Sequence, residues 1–98
     1  MNMRIQVQYI GPIRLLLDNK MEDVKLSEKS SIFDLLIGLS DKYGDRFRKE
    51  ILDDKKQNIA EGMIVTINGR AIGQLGGLST LLKDGDDVVL LPFFAGGG

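Results

Sequence analysis

Val88-Val89-Leu90-Leu91-Pro92-Phe93-Phe94-Ala95-Gly96-Gly97-Gly98 is the stretch on which the reading of this chain turns. Four consecutive apolar residues without alternation read as a strand buried on both faces, as at the centre of a sheet. Pro92 stops that strand by removing an amide donor. The six residues from Phe93 to Gly98 then form an arm with no charged side chain, closed by three glycines and a carboxylate. Glycine buries no side chain and costs conformational entropy, so it is a poor end for a packed element and a good material for a thin, bendable one. Fully extended, the arm spans roughly 20 Å at about 3.3–3.6 Å per residue. That is enough to carry a carboxylate from a domain surface into another protein's active site. Phe93 and Phe94 follow the proline stop, and at least one is expected to be exposed as a partner anchor.

Working outward, Lys83-Asp84-Gly85-Asp86-Asp87 is a polar turn leading into the strand. Its three aspartates do not complete a calcium loop and read as a solvated turn. At the other end of the chain, Met3, Ile5, Val7 and Tyr9 alternate with Arg4, Gln6 and Gln8, giving a half-buried strand over Met3–Ile10. Gly11-Pro12 marks a turn. Residues 13–20 read as a loose connection, with Leu15-Leu16-Leu17 packed against the core edge. Residues 22–27 alternate again, with Val24 and Leu26 inward. The first two strands therefore read as an antiparallel hairpin with a wide loop.

One helix is plain. Ser31 is placed to cap it, Asp34 supplies a carboxylate to its positive start, and Ile32, Leu35, Leu36, Leu39 and Tyr43 form one stripe. Gly44 sits where a left-handed C-terminal cap belongs. Residues 45–52 suit a further short helix with Phe47 and Ile51 inward. Residues 63–67 form the next strand, Asn68-Gly69 is a hairpin turn, and residues 70–72 make a short edge strand. Residues 75–82 form an irregular connection holding a few buried leucines. The order β-β-α-(α)-β-β-β predicts an α+β layer: a mixed sheet of four to five strands packed on one main helix.

Lys83 to Pro92, followed by Phe93-Phe94-Ala95-Gly96-Gly97, resembles the C-terminus of the small-subunit family of molybdopterin synthase, itself similar to the thiamine-pathway sulfur carriers and ubiquitin-like modifiers. The resemblance implies a β-grasp domain over residues 1–92 and a flexible glycine arm over residues 93–98. It also selects the strand order, with the first and last strands side by side and parallel at the centre. It implies that the terminal glycine is adenylated by an E1-like adenylating enzyme and converted to a thiocarboxylate, then offered to a molybdopterin-synthase-type large subunit in molybdenum cofactor biosynthesis. ATP belongs to the activating partner, and no cofactor or metal is expected on this chain. Counted from Pro92, the family's last glycine falls on Gly97. The activated carboxylate is therefore that of Gly98, or of Gly97 if the last residue is removed or extra. Phe93, Phe94, Ala95, Gly96 and Gly97 are the expected partner-binding residues. A ubiquitin-like modifier joined to lysines through the same terminus shares every one of these features. A β-grasp interaction module with an inert tail is a further alternative.

Composition narrows the classes. The 98 residues hold no cysteine and no histidine. That removes disulfides, thiol and imidazole catalysis and the usual zinc sites, so no autonomous catalytic site is expected. The 13 basic and 14 acidic residues are spread along the chain, without the basic block of a nucleic-acid binder. No run of 18 apolar residues and no signal-peptide pattern is present, so a cytoplasmic, non-membrane protein is expected.

Overall fold

The computed structural model describes residues 1–18 and 20–92. Five strands form one mixed sheet: β1 (Asn2–Tyr9), β2 (Met21–Ser27), β3 (Met63–Ile67), β4 (Arg70–Ala71) and β5 (Asp87–Pro92), in the order β2-β1-β5-β3-β4. β1 and β5 are parallel neighbours at the centre, Gln6 opposite Asp87 and Tyr9 opposite Leu90. β2 and β3 flank them antiparallel. This is the β-grasp arrangement expected above.

The alternation of β1 becomes geometry directly. Met3, Ile5, Val7 and Tyr9 are buried on one face, where they meet Val88 and Leu90 of β5 and Val65 and Ile67 of β3. Across that face lies α2 (Ile32–Tyr43), whose Ile32, Leu35, Leu36 and Leu39 join the same core. The helix starts as its sequence requires. The Asp34 backbone N–H donates to the Ser31 hydroxyl at 3.2 Å, and the Ser31 N–H donates to the Asp34 carboxylate at 2.8 Å. This reciprocal box satisfies two amides that the first turn leaves open. It ends at Gly44, with φ 94° and ψ −177°: a positive φ, but not the left-handed helical cap expected. α3 (Asp45–Ile51) follows at once and buries Phe47 and Ile51.

Three expectations need correction. Residues 13–20 are not a loose connection throughout, because Pro12–Leu17 is a helical turn and a half, α1. Its start is legible in hindsight, since proline at the first helical position has no amide to waste. Nor do the three leucines pack together. Ile13 carries the burial, Leu17 is half-buried against the core, and Leu15 is 85% exposed. β5 is not buried on both faces either: Val88 and Leu90 are buried, while Val89 and Leu91 on the outer face are half-buried. Smaller differences lie at β4, which ends at Ala71 because Ile72 turns into a 3-10 segment, and among the residue 75–82 leucines, where Leu82 is buried and Leu75 and Leu81 are exposed.

Candidate functional site: the root of the C-terminal arm

Phe93, Phe94, Ala95, Gly96, Gly97 and Gly98 lie outside the described residues. What the structure gives is the place from which they leave, and how firmly it is held. Asn68 donates its backbone N–H to the Asp87 carbonyl at 2.8 Å. By antiparallel alternation, Thr66–Val89 and Ile64–Leu91 are then the hydrogen-bonded pairs, and Met63 stands opposite Pro92 in a non-bonded pair. Pro92 therefore points its nitrogen away from β3, toward β1. Leu90 on the same side accepts the Ile10 N–H at 2.9 Å, and β1 has ended by the level of Pro92. The next rung of the parallel ladder would run from the N–H of residue 92 to the Ile10 carbonyl, so proline ends the β1–β5 pairing there and leaves the β3 side untouched.

Gly11 closes the root from the other side. It has φ 82° and ψ −152°, a conformation that only glycine adopts without strain. A Cβ placed on it would stand 2.7 Å from Pro92 Cγ and 2.9 Å from Pro92 Cδ. The backbone of Gly11 is thus the surface on which the Pro92 ring rests. Its carbonyl accepts the Arg14 N–H at 3.0 Å and so begins α1.

Two residues before Gly11, Tyr9 anchors a polar cluster that the sequence did not single out. Glu22 lies opposite Val7 in the β1–β2 ladder and so faces the core side, at the edge of the sheet under the end of α2. The Tyr9 hydroxyl donates to its Oε2 at 2.7 Å, the Tyr43 hydroxyl donates to the same oxygen, and Lys42 Nζ reaches Oε1 at 2.7 Å. The Glu22 side chain is 11% exposed. Burial pushes its carboxyl up, but the hydrogen bonds from Lys42, Tyr43 and Tyr9 outweigh that and hold it below its ordinary range. Burial, and then Glu22, push the Tyr9 phenol far above its ordinary range. The hydrogen bond to Glu22 likewise raises the Lys42 ammonium. Phe47 of α3 meets the Tyr9 ring edge-on, centroids 6.2 Å apart, and lies 5.4 Å from that of Tyr43. The strand end that supports the arm is therefore clamped to three other elements. The signal for Glu22 was the same alternation that placed Val24 and Leu26 inward.

Asp84 and Asp86 of the 83–87 turn are occupied in holding that turn. Asp84 accepts the Arg4 N–H at 2.8 Å, and Asp86 accepts the Lys83 N–H at 2.8 Å and the Asn68 side-chain amide at 2.9 Å. Among the described residues no group of three or more acidic side chains is placed to hold a metal ion. No helix among them is long and apolar enough to cross a membrane.

The sequence that folds into this sheet matches the ThiS family over residues 7–97. The chain belongs to the ThiS family. The match takes in β5, the root and the arm as far as Gly97. No curated protein matches the chain in sequence. Among solved structures, this ThiS-family chain is similar to the small archaeal modifier protein 1 of Methanosarcina acetivorans, at 29% identity and TM-score 0.79 over 99% of each chain. It is also similar to the HVO 2177 protein of Haloferax volcanii, at 26% identity and TM-score 0.82, over 98% of this chain and 88% of that one. A Pyrococcus furiosus protein named as subunit 1 of a molybdopterin converting factor superposes with TM-score 0.75 at 24% identity, over 94% of this chain and 99% of that one. That last likeness bears on the fold alone.

Proposed function

We propose that this ThiS-family protein is a sulfur carrier whose terminal glycine carboxylate is adenylated by an E1-like partner and converted to a thiocarboxylate. In this reading it serves as the small subunit of a molybdopterin-synthase-type complex. The observation that carries the proposal is the root. Pro92 is fixed by its place opposite Met63 and by the Gly11 backbone, and only uncharged residues follow it. A firmly held root with a side-chain-poor arm gives a carboxylate a bounded reach from a defined surface. Positioning of this kind turns an encounter into an oriented reaction.

A carboxylate is a poor electrophile. Attack of its oxygen on the ATP α-phosphate releases pyrophosphate and gives a mixed anhydride with AMP. The outer sulfur of a partner's persulfide then attacks the acyl carbon and displaces AMP, and a second partner thiol cleaves the resulting acyl disulfide, leaving the thiocarboxylate on this chain and a disulfide on the partner. The chain contributes reach and fit, and the partners contribute the acids, bases and metal ions. The activated carboxylate in this reading is that of Gly98, or of Gly97 if the last residue is removed or extra, as the spacing counted from Pro92 supports.

The decisive experiment is the intact mass of the chain from its native cell, with terminally amidated protein as the control. One oxygen replaced by sulfur on the terminal residue supports the carrier reading. An amidated chain that still forms an acyl-adenylate at the normal rate refutes it. The 29% likeness to an archaeal modifier protein favours a second reading, conjugation to lysines through the same glycine. A ladder of larger covalent species in the same mass measurement supports that one instead.

A further inference from the structure

The β1–β2 connection carries a surface that the arm does not explain. Of the seven large hydrophobic side chains exposed among the described residues, four fall between positions 10 and 21: Ile10, Leu15, Leu16 and Met21. A single surface leucine needs no explanation, but a cluster does. Leu15 is 85% exposed on a six-residue helix held down by Ile13. Leu15 and Met21 line one cleft beside α1 and Leu16 lines another, on a segment that starts at the root. Ile10 donates to Leu90, Gly11 underlies Pro92, and Arg14 bonds back to Gly11. A cleft bounded by Arg14, Asp18 and Lys20 flanks Leu15 on one side of α1. A second, bounded by Pro12, Leu16, Arg46, Lys49 and Glu50, lies between α1 and α3. These walls hold four basic residues and two acidic ones, in a chain whose totals are 13 and 14.

We propose that Ile10, Leu15, Leu16 and Met21 form a docking face for the adenylating enzyme that takes in the arm, and that this partner offers an apolar pocket for Leu15 rimmed by carboxylates. The inference rests on the carrier reading for the partner's identity, and on its own observations for the face. Continuity with the root selects the partner: whatever takes in a six-residue arm must press against the surface from which it leaves. Charge selects the rim. A second copy of this chain is the poorer occupant, because a two-fold contact would bring together two patches that each carry a basic excess. Leu15 is an anchor outside the arm, so it sets which partner binds without touching the carboxylate.

The test is calorimetric titration of the full chain with its purified adenylating enzyme, without ATP. Leu15→Glu should weaken binding about tenfold or more, as truncating an interface anchor does. Its melting temperature should change little, since the side chain is 85% exposed. Leu75→Glu, beyond β4 at the far edge of the sheet, should bind as wild type does. Arg14→Glu with Lys20→Glu should weaken binding more at low salt than at high salt. Wild-type affinity for Leu15→Glu overturns the proposal, as does a wild-type chain that fails to bind. Dimerisation, or sedimentation with phosphatidylserine vesicles, that Leu15→Glu abolishes would assign the face elsewhere and also overturns it. An enzyme that binds the chain but never adenylates it refutes the carrier chemistry, and the Leu15 comparison still decides the docking face.

Discussion

Replacing Gly11 by alanine tests how the arm's root is held, and Gly44→Ala supplies the reference. Both glycines have positive φ with extended ψ, 82° and −152° for Gly11 and 94° and −177° for Gly44. A Cβ on either is strained, at about 1–3 kcal/mol. The surroundings differ. A Cβ at position 44 meets nothing within 4 Å, whereas at position 11 it meets the Pro92 ring at 2.7 Å. Overpacking of that kind costs a further ~1–3 kcal/mol. Gly11→Ala should therefore lose about 2–6 kcal/mol and Gly44→Ala about 1–3 kcal/mol. Each kcal/mol lowers the melting temperature of a domain this size by about 4–8 °C. Urea unfolding followed by circular dichroism gives both losses. Pro92 is the group that must yield, so backbone NMR shifts in Gly11→Ala should concentrate at Met63, Leu91 and Ile10. A Gly11→Ala chain no less stable than Gly44→Ala would refute the account of the root.

Leu36→Ala should cost about 2–5 kcal/mol in the same urea assay, because Leu36 is fully buried between α2 and the sheet. Gly38→Ala should stabilise by roughly 0.5–1 kcal/mol: the position is helical and exposed, and a Cβ there meets nothing within 4 Å. Glu22→Gln should alter the acid limb of stability. The folded pKa of Glu22 lies below its unfolded value, so its contribution is complete above the unfolded pKa of about 4.3 and disappears as pH falls through the folded value. Melting temperatures across pH 2–7 should fall toward acid less steeply in Glu22→Gln than in wild type, from a lower value at neutral pH.

Much of this architecture is legible residue by residue. Alternation over Met3–Tyr9 predicts the buried face of β1, and the Ile32–Leu39 stripe with Ser31 and Asp34 predicts α2 together with its capping box. Periodicity fails where elements are too short to show a period. α1 has six residues, and three leucines in a row name no face. It also fails where polar and apolar residues share a face, as Glu22 does with Val24 and Leu26. A carboxylate looks solvated until Tyr9, Tyr43 and Lys42, distant in sequence, converge on it. The strand order came from resemblance, because local pattern carries no information on which strands are neighbours. Of the site, the sequence marks the proline and the arm. Gly11's role under Pro92 is a contact across some 80 positions of chain and has no local signature.

The parallel pairing of β1 with β5 also has a mechanical meaning. β1 begins at the end of the sheet opposite to the one where β5 finishes, so the two chain ends leave in opposite directions. Tension applied between them drives the two central strands past one another along their length. The bonds between β1 and β5 then carry load together and cannot be opened one after another like a zipper. A machine pulling the arm against a fixed N-terminus meets the stiffest direction of the sheet, and one that grips a lateral edge meets a softer one. On the carrier reading proposed above, a partner gripping the residues beyond Pro92 pulls along that stiff direction while the domain stays folded.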